Sequence, residues 1–111
     1  MEVARLADLT TATRASGARF HEFLRRDALS AGIYILPGGG ADDQVPHRED
    51  EIYVVVSGTG RITIEGREHE VGPGSVIFVA ANDEHRFHGF SEDLEILVVF
   101  APAYSGRAGS E

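Results

Sequence analysis

Cysteine is absent from all 111 residues. Disulfides, thiolate zinc sites, iron–sulfur clusters and cysteine nucleophiles are therefore excluded, and the redox state of the compartment leaves no mark on the sequence. Lysine is missing too, since the ten basic residues are all Arg. That removes Schiff-base and lysine general-base chemistry, and any metal must be held by nitrogen and oxygen. Long apolar runs are also lacking. Arg, Asp, Glu or Gly interrupts each one well short of the roughly 18 to 20 residues of a membrane-spanning helix, so no membrane partner is expected. Residues 1–13 carry Glu2, Arg5 and Asp8 among their apolar residues where a secretory signal would have a basic head and an apolar stretch, so the expected location is cytoplasmic. Positive charge is scarce. With a formal net charge of -8 and its Arg residues scattered, the chain is not expected to bind nucleic acid, whose phosphates attract clustered cations.

What is present is apolar sequence cut into short pieces. Hydrophobic residues make up 42% of the chain, enough for one packed core in a length too short for two ordinary domains. From Phe20 onward, β-branched and aromatic runs are separated by Gly, Pro, Asn and Asp, a pattern that predicts an all-β sandwich or barrel. Strands are expected at 19–25, 29–36, 51–56, 60–65, 68–71, 75–79, 85–90 and 94–100, and short strands in that number suit a small barrel or jelly roll. Turns fall at Gly38-Gly39-Gly40, Ser57-Gly58-Thr59-Gly60, Glu65-Gly66-Arg67 and Gly72-Pro73-Gly74. Residues 1–18 are small and polar and read as an arm or an irregular lead-in; 19–104 form the barrel and 105–111 a frayed tail.

Chemistry concentrates around two of the expected strands. His47 follows Pro46 just before the strong run Ile52 to Val56, and Glu51 opens that run. Their even offset lets both side chains face the barrel interior on an extended chain, together with Tyr53 and Val55. His85 opens a later strand after the turn Ala80 to Glu84, where it can face the first pair from a neighbour. Two neutral imidazoles and one carboxylate form a coherent ligand set for a divalent first-row ion and leave coordination positions open. Non-haem Fe(II), Zn and Mn all suit such a set.

The segments 39–58 and 74–89 resemble the two conserved motifs of the cupin superfamily. His47, Glu51 and Gly58 stand in register with the second histidine, the glutamate and the glycine of the first motif; Gly74 and His85 match the second. Val45 occupies the first-histidine position, while Ala80, Asn82 and Gly89 replace the usual proline, glycine and asparagine. Three of the four usual metal ligands are thus present: His47, Glu51 and His85. The resemblance implies a double-stranded β-helix (a cupin jelly-roll barrel) with a metal in its mouth and, in many relatives, a homodimer. The chain further looks like the small bacterial single-domain cupins of the conserved-barrel type. No reaction follows, because this fold hosts dioxygenases, isomerases, epimerases, decarboxylases, sugar-binding regulators and storage proteins. Gln44 either replaces the missing histidine through its amide oxygen or orients a ligand or substrate from outside the coordination sphere. The opposite strand parity of Gln44 and Val45 favours the outer role.

The remaining candidates have plainer readings. Glu49 and Asp50 read as a solvated acidic turn, as such runs usually are. His88, at an odd offset from His85, points to the other face; His21 and His69 read as solvent-facing. Tyr34, Tyr53, Phe78 and Phe87 read as core or pocket lining, with Tyr53 and Phe87 also candidates for substrate contact. Arg25 and Arg48 are candidate carboxylate grips, or solvated surface residues. Two functions stay open: a metal-dependent enzyme of dioxygenase or isomerase type acting on a small organic molecule inside the barrel, and a non-catalytic small-molecule or metal-binding module.

Overall fold

A computed structural model describes residues 2–42 and 44–106; the tail expected at 105–111 lies outside these from residue 107 onward. Eight strands follow one helix: α1 (Leu6–Ser16), β1 (Phe20–Arg25), β2 (Ser30–Leu36), β3 (Asp50–Ser57), β4 (Gly60–Ile64), β5 (Arg67–Val71), β6 (Val76–Val79), β7 (His85–His88) and β8 (Leu94–Ala101). Each expected strand is present, its ends displaced by at most two residues. They pair antiparallel in two sheets, a five-stranded one ordered β1-β2-β8-β3-β6 and a three-stranded one ordered β5-β4-β7. The inner faces of both sheets form one core, the arrangement of a double-stranded β-helix.

Period-two alternation sets what faces that core. On β8, Leu94, Ile96, Val98 and Phe100 are buried while the residues between them are only partly covered. The inward row of β3 is Glu51, Tyr53 and Val55, so a carboxylate stands in a line of core positions. A register shift between Val55 and Ser57 ends this row, and the chain then turns at Gly58. There φ is +89° and an added Cβ would lie 2.3 Å from the Asp93 carbonyl oxygen, so both backbone and space require glycine.

The segment expected as an arm is a helix. Leu6, Ala7, Leu9, Ala12, Arg14 and Ala15 favour helix while three threonines oppose it, so local propensity alone does not decide the segment. All three threonines bond their hydroxyls back to carbonyls one turn earlier: Thr10 to Leu6, Thr11 to Ala7 and Thr13 to Leu9. Gly17, at φ 74°, ends it with its N–H on the Arg14 carbonyl. Arg14 then reaches the start of β8, its guanidinium 2.7 Å from Glu95 and 3.1 Å from Asp93. The helix lies against β1 and β2, which explains why Ala31, Ile33 and Ile35, facing away from the core, are buried as well. His21 was expected in solvent; instead its Nδ1 sits 3.4 Å from the Thr13 hydroxyl under this helix. Phe78 was expected inside, but lies 59% exposed on the outer face of β6, an edge strand.

Candidate metal centre

Local hydrogen bonds bring the two motif segments together. Asn82 donates its N–H to the His47 carbonyl at 2.7 Å, and Ala81 donates to Asp50 Oδ1 at 2.8 Å. The turn before β7 is thereby clasped to the entrance of β3, and His85 arrives opposite His47 and Glu51. One donor atom from each of these three residues lies within 4.8 Å of the other two. All three are buried. The nearest approaches are 3.5 Å between His85 Nε2 and Glu51 Oε1 and 3.9 Å between His47 Nε2 and the same oxygen.

The ring of His85 is oriented from behind. Its Nδ1 lies 2.9 Å from the Asp83 carbonyl, which can only accept, so in the neutral ring the proton sits on Nδ1 and the Nε2 lone pair points into the cluster. The Tyr53 hydroxyl lies 3.0 Å from that nitrogen and can donate to it. Burial, and then the neighbouring His85, lower the pKa of His47 and favour its ligating form. Burial also raises the Glu51 carboxyl above its ordinary range and lifts the Tyr53 phenol well above its own, so Tyr53 stays protonated. Glu51 is only 2% exposed, and its Oε2 has no hydrogen-bond partner among the described residues. A buried carboxylate with one oxygen facing two imidazole nitrogens and the other without a donor is the environment a divalent cation satisfies. The residues present fit the ion that the sequence suggests.

Around this cluster the expectations divide. Gln44 is drawn in: its Oε1 lies 3.4 Å from both His47 Nε2 and the Tyr53 hydroxyl. Phe87 does not line the cavity beside the cluster; it packs edge-on against Tyr53 at 5.1 Å and holds that ring in place. His88 faces outward, its Nε2 2.8 Å from the Thr63 hydroxyl and 3.6 Å from Glu68. His69 is exposed. Arg25 bonds Glu22 and the Tyr104 carbonyl at the surface. Glu49 overturns the reading of a solvated turn. It is 2% exposed, accepts the Ser105 N–H through Oε2 at 3.2 Å, and leaves Oε1 without a partner among the described residues. Its parity matches His47 and Glu51, a signal present in the sequence. Asp42, also buried, was missed altogether, because an Asp in the glycine-rich segment 38–43 carries no periodicity to reveal it.

Beside the cluster opens a cavity of about 300 Å³, lined by Phe20, Tyr34, Val45, Val98, Phe100 and Tyr104 and reaching Gln44, His47 and Tyr53. Phe100 and Tyr104 stack at 4.7 Å, and both present ring contacts to His47. Burial, and then Glu49 and Glu51, raise the Tyr104 phenol. Among the described residues, no Arg, Asp or Glu lines this space.

The sequence pattern of the cupin domain matches residues 32–100. The chain belongs to the cupin family. An uncharacterised protein of Streptomyces coelicolor is 43% identical over 105 residues, covering 95% of this cupin and 100% of that protein. An L-ectoine synthase of Bordetella petrii is 30% identical over 89 residues, 76% of this chain and 66% of the synthase. Among solved structures, an RmlC-like cupin with a double-stranded β-helix from Methanocaldococcus jannaschii superposes with a TM-score of 0.67 at 20% identity, over 77% of this chain and 83% of that one. At that identity the likeness concerns the fold.

Proposed function

We propose that this cupin holds one divalent ion (Fe, Zn or Mn) through His47, Glu51 and His85 and acts with it on a small organic molecule seated in the aromatic cavity. The observation that carries this reading is the buried Glu51 carboxylate, whose Oε1 lies 3.5 and 3.9 Å from two imidazole nitrogens and whose Oε2 has no hydrogen-bond partner among the described residues. When bound, the ion supplies a Lewis-acid centre with open positions, suited to chemistry of the dioxygenase or isomerase type. The chain's own part is to bind and orient. Tyr53, kept protonated by burial, offers a hydroxyl donor beside the cluster, and the stacked pair Phe100 and Tyr104 shields one wall from water. A lining of aromatic and aliphatic side chains with few polar groups suits a ligand with an apolar body and a polar end turned toward His47. The likeness to an L-ectoine synthase supports turnover.

One observation favours a second reading, a binding module without turnover. Apart from His47, the proton-transfer groups lining the cavity among the described residues are the phenols of Tyr34, Tyr53 and Tyr104, and burial holds Tyr53 and Tyr104 in their protonated form. Water-proton relaxation of the Mn(II)-loaded protein tests the shared premise. Open positions give strong enhancement from exchanging waters, reduced when a cavity ligand binds; an Mn(II) ion that enhances no more than a coordinatively closed one contradicts the proposal.

A further inference from the structure

We propose that Gln44 supplies the fourth protein ligand through its amide oxygen, oriented by the buried carboxylate of Asp42, in place of the histidine that Val45 replaces. This deepens the metal reading above and rests on it. Strand parity argues for an outer role only if residue 44 lies on an extended strand, and it does not: β3 begins at Asp50, and residues 44–46 belong to the preceding loop. The direction of the Gln44 side chain is therefore set by its partners.

Those partners leave one orientation. Asp42 Oδ1 receives the Gln44 backbone N–H at 3.2 Å and the Tyr34 hydroxyl at 3.4 Å. Its Oδ2 receives the Phe87 backbone N–H at 2.9 Å and Gln44 Nε2 at 3.1 Å. An ionised carboxylate only accepts, so the amide nitrogen of Gln44 must face Asp42. The amide oxygen then faces the other way, toward His47 Nε2 and the Tyr53 hydroxyl, each 3.4 Å distant. Two ligand atoms about 2.1 Å from one ion lie about 3.4 Å apart at tetrahedral angles and about 3.0 Å apart at octahedral ones. The separation of Gln44 Oε1 from His47 Nε2 meets that spacing as well as the 3.5 Å between Glu51 and His85 does. An amide oxygen is a harder, neutral donor than imidazole, so the substitution shifts preference toward oxygen-tolerant ions such as Mn and Fe(II) without adding negative charge. Asp42 acts through Gln44 and is a positioning residue.

The test uses the full chain, stripped with chelator and reloaded with Cu(II) or Zn(II) as probes. Pulsed EPR of the Cu(II) form counts coordinated imidazoles. The wild type is expected to show two and Gln44→His three, because a side chain at this position reaches the ion. In competition with a chromogenic chelator, Gln44→Ala weakens Zn(II) binding by more than the about 10- to 100-fold expected for a residue that only orients a ligand. Asp42→Asn weakens it in the wild type but adds little in the Gln44→Ala background, the coupling expected of a residue that acts through another. If Gln44→His still shows two imidazoles and Gln44→Ala binds Zn(II) as the wild type does, the inference is overturned while the three-residue site stands. If the wild type binds neither ion, the metal reading itself fails.

Discussion

Glu51 occupies a position on β3 that its neighbours Tyr53 and Val55 fill with core side chains. An ionised carboxylate there is costly without a cation, and burial accordingly raises its pKa above the ordinary 4.5. The folded metal-free chain thus binds its proton more tightly than the unfolded chain. The contribution of Glu51 to stability is greatest below about pH 4.5 and declines as pH rises through its native value. At neutral pH, Glu51→Gln should raise the melting temperature of the metal-free protein by a few degrees, the shift expected for about 1 kcal/mol in a domain this size, while abolishing metal binding. A lower melting temperature for that variant would show Glu51 to be structural. His47 carries the opposite sign. Its pKa lies below the ordinary 6.5, so stability is full above about 6.5 and is lost as pH falls toward the native value. Because His47 stays neutral to lower pH than a free histidine, acid release of the ion, followed by equilibrium dialysis, should be centred below pH 6.5.

At the scale of elements, the strands were legible because their alternation and their glycine turns are local signals. The helix was not. Threonines at 10, 11 and 13 argue against helix residue by residue, and what stabilises α1 is tertiary: Thr13 is wholly buried against the sheet and Arg14 is paired with Glu95. The site divides in the same way. His47, Glu51 and His85 could be read from motif register, whereas Asp42 and Gln44 lie in a loop whose course is set by partners distant in sequence, among them the Phe87 N–H. The turns make a quantitative prediction. Gly58→Ala must place a Cβ against the Asp93 carbonyl, whereas Gly66→Ala, at φ +80°, meets nothing within 4 Å. Urea unfolding should show a loss of about 1 kcal/mol for Gly66→Ala, from backbone strain alone, and about 2 to 3 kcal/mol for Gly58→Ala. Equal losses would contradict this account of the β3–β4 turn.

For the whole molecule, a homodimer is the expectation from family resemblance, and an extended N-terminal arm adding a strand to a partner's sheet would be one route to it. Residues 6–16 are helical and packed on their own sheet, so they do not add a strand to a partner. The outer face of β3 and β6 instead exposes Ile52, Val76 and Phe78 side by side, with Ile52 paired to Phe78 across the strands. Burial of such an edge in a second copy would remove it from water. Sedimentation velocity should then show a dimer that Phe78→Glu converts to monomer, and a wild type that is monomeric at all concentrations contradicts the expectation.

The claim on which the rest depends is that the two motif segments share one ion, and calorimetric titration of the chelator-stripped chain with Zn(II) tests it most directly. The account predicts one ion per chain, binding lost by at least about 100-fold in His85→Ala, and binding kept in His88→Ala, whose ring faces outward to Thr63. A wild type that takes up no ion, or a His88→Ala variant that loses it as readily as His85→Ala, would contradict the assignment.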